Sequence, residues 1–453
     1  MRLLFTFFFL LPVWVYAQKL PAVRAKTNRL TMYLDGERGN FNGVNEIPTL
    51  FPYRFGSVAE KAVLALVSEK DSLAVILRRD STTVFQIIRE EKGDTVTCRF
   101  GLNKLVKAAV FTEAYKKAND GKTLVEVPEV YELANVVFAL TRYGKTGAIE
   151  KGTPYYQDVM KHFSPFAGLP AVRQLDSVLA EAGDAYAPLK MDAYAFRFGR
   201  DRLVKSDVYD RVSWGEENQI APYVPVLEAF ARQTNFRVFY RKHTVYYEQL
   251  IADFGRNVDV AMMKKWLEKQ FPRTRYSAVK VVFSPLVGWN QSANSFEDNG
   301  FSEAHAHINF PFESRTKQPG GRGRRMIIAF TELNHSYLNP EADRYSKEIA
   351  EAFGDLSKWI TPGKPSAGYN NSLSCFEEYM NYGLVTLLFS DLFDAPTAEL
   401  LRQQMEDNMV NFRGFQQFRA FDEELLRLYR GRKEGETVAD LYGGIIGWAG
   451  KRR

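Results

Sequence analysis

Between residues 100 and 130 the spacing of apolar residues changes from every second position to every third or fourth. Alternation of period two is a half-buried strand and period 3.6 is an amphipathic helix, so the chain is limited to a mixed fold with a β-rich beginning and a mainly helical remainder. Leu73–Arg79, Thr82–Glu91 and Thr95–Phe100 read as strands separated by Asp80-Ser81 and Lys92-Gly93-Asp94, the pattern of an antiparallel meander. Asn103–Lys117 reads as helix, and a second helix opens at Val127-Pro128-Glu129. Helices follow over Tyr155–His162, Val172–Ala182, Val224–Arg232 and Phe239–Phe254, with an irregular charged stretch over Gly199–Gln219. Tyr276–Ser284 and Glu303–Phe310 read as strands, Gln318–Arg325 as a solvated basic loop, and Met326–Phe330 as a buried strand or helix start. The last helices are expected near 341–354, 373–390, 397–408 and 411–430. The fold class is therefore α+β, with regions 18–120 and 121–453.

Residues 1–17, MRLLFTFFFLLPVWVYA, have the form of an export signal: Arg2, an apolar run, then Val15 and Ala17 before a cleavage at Gln18. The run is short for a membrane span, and no later apolar stretch is long enough, so an exported chain without a span, periplasmic or secreted, is expected. A net charge of +6 over 453 residues is too mild to suggest a nucleic-acid partner. Two cysteines, Cys98 and Cys375, exclude a disulfide-rich scaffold and a Cys-based zinc finger. The sequence leaves open whether they pair. No GxSxG, CxxC, Walker A or GxGxxG pattern is present.

The stretch that carries chemistry is Met326-Ile-Ile-Ala-Phe-Thr-Glu-Leu-Asn-His-Ser-Tyr-Leu-Asn-Pro340. On a helix Thr331 and His335 lie one turn apart with Glu332 beside them, which is the HExxH spacing with Thr in place of the first His. In that motif both imidazoles hold zinc and the Glu activates the metal-bound water. A third ligand must come from downstream. On helix 373–390, Phe376, Met380, Gly383, Leu384 and Leu387 form the buried stripe, which puts Glu377 at its edge and Glu378 toward solvent.

These residues resemble an uncharacterised family of exported bacterial proteins that carries a gluzincin-like HExxH followed by a downstream Glu. The likeness extends over roughly residues 127–435 and rests on Glu126–Leu133, Tyr155–Val172, Phe283-Ser-Pro285, the His335–Pro340 tail and the Glu377 helix. It implies a zincin-like metallopeptidase domain with Glu332 as general base and His335 and Glu377 as zinc ligands. Three positions depart from the pattern: Thr331 occupies the lost ligand position, Asn381 stands where Arg is expected, and Leu169-Pro170 where relatives have His-Pro. A catalytic zinc needs three protein ligands, so the resemblance implies zinc weakly bound or absent and peptidase activity weak or lost, with peptide or protein as ligand. His305 and His307, two apart on a strand, are the substitutes that would restore an active metallohydrolase. A third reading is a carbohydrate- or envelope-binding protein with Trp289, beside Asn290, as platform.

Overall fold

The computed structural model describes residues 20–26, 30–38, 53–57, 59–104, 106–311 and 319–452. The export signal read at residues 1–17 lies outside them. The described chain forms two compact units, one up to Lys104 and one from Val106 onward.

The first unit has two four-stranded sheets over one apolar core. β1 (Ala22–Ala25), β4 (Tyr53–Ser57), β7 (Thr82–Arg89) and β8 (Asp94–Lys104) form the sheet ordered β1-β7-β8-β4. The other, ordered β3-β2-β5-β6, holds β2 (Thr31–Leu34), β3 (Glu37–Arg38), β5 (Lys61–Val67) and β6 (Ser72–Arg78). Leu64, Leu66 and Leu77 meet Phe85, Ile87, Cys98 and Phe100 between them. The expected meander is therefore only half present. β7 and β8 do form an antiparallel hairpin, turning at Gly93 with φ 63°. β6 instead pairs with β5, so the Asp80-Ser81 break carries the chain from one sheet to the other. Alternation shows which side chains face inward, but not which strand lies alongside.

In the second unit β9 (Thr123–Glu126), β12 (Ala278–Ser284), β13 (Ser292–Asp298) and β14 (Phe301–Asn309) form a mixed sheet ordered β13-β14-β12-β9. A small hairpin, β10 (Phe196–Gly199) with β11 (Arg202–Lys205), opens the stretch expected to be irregular. β12 is parallel to β9 and β14, and β13 returns antiparallel through Asn299-Gly300, where φ is 51° and 68°. Two positive φ values in a two-residue loop are the type I′ turn that a right-twisted hairpin needs. β12 is buried at every position, as central parallel strands are.

Helices cover this sheet. The helix expected over Asn103–Lys117 is restricted to Glu113–Asn119, because β8 runs on to Lys104 and Thr112 Oγ1 caps the Tyr115 amide at 3.2 Å. Phe239–Phe254 is split at His243 into Phe236–Lys242 and Thr244–Val258. The two longest helices, Gly321–Arg344 and Ser372–Leu392, pack together in the core. Much of the basic loop is the first turn of the former. Gly323 lets it lie on Leu401, since a Cβ there would stand 2.4 Å from Leu401 Cδ1, and Arg325 is buried against Asp253. Pro340 lies inside this helix and cannot bond the Ser336 carbonyl; the Tyr276 hydroxyl donates to that carbonyl instead, at 2.9 Å.

Candidate functional site

Gly321–Arg344, the Glu332 helix, presents Glu332 and His335 toward Ser372–Leu392, the Glu378 helix. Asn371 Oδ1 caps the latter by accepting from the Ser374 amide at 2.9 Å, and Asn334 Nδ2 ties the two helices by donating to the Asn381 carbonyl at 3.1 Å.

The carboxylate brought to His335 is that of Glu378. Its Oε2 lies 3.8 Å from His335 Nε2. Glu377, the residue expected to face inward, is also buried, but its neighbours are Asp343 and Tyr442, and no hydrogen bond joins it to His335 among the described residues. The expectation that Glu378 faces solvent is corrected: it is 3% exposed. The stripe argument assumes a helix with one wet side, whereas every residue from Ser374 to Asn381 is buried.

His335, the Glu378 carboxylate beside it and Thr331 are each already engaged. Asn381 Nδ2 lies 2.9 Å from His335 Nε2 and donates to Glu378 Oε2 at 3.2 Å. The carboxylate fixes the amide with its nitrogen toward the imidazole, so Nε2 accepts and Nδ1–H points to Asn339 Oδ1, 3.2 Å away. Glu378 Oε1 accepts from Arg413 Nη2 at 2.6 Å and from the Tyr369 hydroxyl at 2.8 Å. The guanidinium lies over the Tyr382 ring, 4.6 Å from its centroid. Burial would raise the Glu378 carboxyl, but the Arg413 charge and the hydrogen bonds from Tyr369 and Asn381 hold it below the usual carboxylate value. Thr331 Oγ1 donates to the Ile328 carbonyl one turn back, at 3.1 Å, and is buried. These residues do not fit a zinc ion: a bound cation would have to displace a guanidinium and an amide and would gain only two ligands. Among the described residues no group of three or more His, Cys, Asp or Glu is placed to hold a metal.

Glu332 differs from its neighbours. The residue is half-buried, and its carboxyl takes no hydrogen bond from the described residues. Burial and the nearby Glu378 push it up to about 8, against the pull of Lys190 and Arg413. Lys190, in the helix Tyr186–Asp192, is fully buried and pushed down to about 7 by burial, an effect Glu332 partly offsets. Its Nζ donates to the Asn290 carbonyl at 2.6 Å and to Asn290 Oδ1 at 3.2 Å. Asn290 has φ 82°, a conformation Asn tolerates better than most residues. Trp289 beside it is 50% exposed, its indole seated on Gly147, where a Cβ would lie 2.6 Å from Nε1.

No hydrogen bond or ion pair joins His305 or His307 to Glu332, His335 or Glu378 among the described residues, although Lys190 acts electrostatically on His307. Both are buried on β14, aligned with Lys280 and Val282 of β12. His305 Nε2 is 2.6 Å from Glu303 Oε1, and Glu303 also accepts from the hydroxyls of Tyr115 and Tyr209. Lys280 Nζ donates to the same two hydroxyls, at 2.7 and 3.1 Å. Among the described residues neither nitrogen of His307 has a hydrogen-bond partner; its ring lies 5.6 Å from Tyr131. His162 and His243 are satisfied by the carbonyls of Thr234 and Phe239, at 2.8 and 2.9 Å. The two cysteines are free and buried.

Sequence reasoning missed Glu378 as the inward acid, and Lys190, Tyr369 and Arg413 altogether. Arg413 had a partial signal: where the resemblance calls for Arg the chain has Asn381, and a guanidinium reaches the same carboxylate from another element, the turn Asn408–Arg413. In comparisons with known proteins, the chain matches no family model, no curated protein and no solved structure.

Proposed function

We propose that this chain is an exported, zincin-like protein whose cleft works without metal, binding an extended peptide or protein segment rather than hydrolysing it. The observation that carries this reading is the Asn381 amide on His335 Nε2, with Glu378 committed to Arg413. Glu332, half-buried and without a hydrogen-bond partner among the described residues, then serves as a polar group for a ligand's backbone.

Metal analysis of protein purified without chelator tests this. The expected zinc content is far below one ion per chain, and Thr331→His alone leaves it there. Thr331→His combined with Asn381→Ala frees Nε2 and is expected to gain cobalt with the absorption bands of a tetrahedral site. Stoichiometric zinc in the native chain that disappears in His335→Ala would overturn the reading. So would cleavage of unfolded casein that a chelator abolishes. Casein bound but not cut, with affinity lowered by Glu332→Lys, supports it.

A second reading rests on Trp289, a half-exposed indole held in place by Gly147. A glycan-binding screen with Trp289→Ala as control checks it, and binding that survives the substitution counts against it.

A further inference from the structure

The two outer faces of the N-terminal unit differ. A sheet with one side on a core alternates apolar inward and polar outward. β7 and β8 come closer to this rule: outward of the core residues Phe85, Ile87, Cys98 and Phe100 they carry Gln86, Thr95, Thr97 and Arg99, and the two aliphatics among them, Val84 and Ile88, are half-buried. β5 and β6 do not. Their inward residues are Leu64, Leu66, Val75 and Leu77, yet Val63, Val67 and Ile76 point outward at 46%, 40% and 50% exposure. Val63 is directly opposite Ile76 and Ala65 opposite Ala74, and Tyr33 of β2 is opposite Ala65 on the other side. The result is a continuous aliphatic strip on a solvent-exposed sheet face.

The next pair along is Lys61 opposite Arg78. Both are exposed, and neither has an ion-pair partner among the described residues. The acids at this end are engaged elsewhere: Glu60 with Arg79 at 2.9 Å, and Asp35 Oδ1 with the Val63 amide at 2.8 Å. Like charges directly opposite across a ladder cost stability, so the pair is better explained by something outside the unit that neutralises it. The outward positions of β2, β5 and β6 include no acid. A second copy stacked on this face would therefore offer more aliphatic surface and no counter-charge.

We infer that this sheet face docks on an anionic lipid surface, with Val63, Val67 and Ile76 against the interface and Lys61 and Arg78 on the headgroups. Apolar burial and attraction to anionic lipid add in such binding, and each cation near the surface contributes roughly fivefold to partitioning.

Co-sedimentation of the full chain with vesicles tests the inference, comparing phosphatidylcholine alone with an equal mixture of phosphatidylcholine and phosphatidylglycerol. Binding is expected only to the mixed vesicles and is weakened by salt. Lys61→Glu with Arg78→Glu should lower partitioning by roughly tenfold or more. Ile76→Ser should lower it severalfold, and Arg99→Glu on the opposite face should leave it unchanged. All these positions are exposed, and circular dichroism checks that each variant stays folded. Equal binding to both vesicle types, no binding, or an equal loss in Arg99→Glu overturns the proposal. A native dimer in sedimentation equilibrium that Ile76→Ser dissociates makes a second copy the occupant and overturns it too.

Discussion

Lys190 is buried with its ammonium on two oxygens of Asn290 and no carboxylate among its hydrogen-bond partners. Its folded-state value of about 7 lies below the ordinary 10.5. Between those values the unfolded chain holds the proton and the folded chain does not, so the Lys190 contribution to stability rises with pH across that window. Below it both states are protonated and the full cost of burying the charge is carried. Lys190→Met removes this dependence. Denaturant unfolding at pH 8 and pH 10 should show the variant losing ground to the native chain by up to about 1.4 kcal/mol per pH unit. A gap that stays constant with pH would mean the ammonium is not desolvated. Glu332 has the opposite sign. Its raised value favours the fold at low pH and loses that advantage as pH rises toward about 8.

At the scale of elements, the Glu378 helix shows where periodicity stops being informative. A helix with solvent on one side announces its buried stripe; one enclosed on all sides does not, and its two adjacent acids cannot be ranked from spacing. The Glu332 helix was more legible because Thr331, Glu332 and His335 share a face whatever lies opposite. The enclosure itself depends on Gly383, where a Cβ would stand 2.6 Å from Leu425 Cδ2. Gly383→Ala is expected to cost about 1–3 kcal/mol through overpacking, despite better helix propensity. Gly447, in the helix Tyr442–Gly450, has nothing within 4 Å of the same position, so Gly447→Ala is expected to gain about 0.5–1 kcal/mol. Thermal unfolding of the two variants should move in opposite directions. A shift of the same sign in both would show that propensity, not packing, governs Gly383.

Across the whole molecule, the two units have separate apolar cores. Calorimetry is expected to resolve two unfolding transitions. Phe85→Ala, in the first core, should lower one, and Phe376→Ala, in the second, the other, each by about 3–5 kcal/mol. A single transition that both variants shift equally would show the units to be energetically one. The α+β class, with β structure first and helix after, was determined by sequence alone, because apolar periodicity is a local property that each element carries in its own residues. So was the Thr331, Glu332 and His335 constellation, which lies within five consecutive helical positions. Which acid meets His335, and that Asn381 occupies the imidazole and Arg413 the carboxylate, were decided only by the tertiary structure. Those contacts join residues tens of positions apart, and the helix rotations that create them leave no periodic trace in the chain.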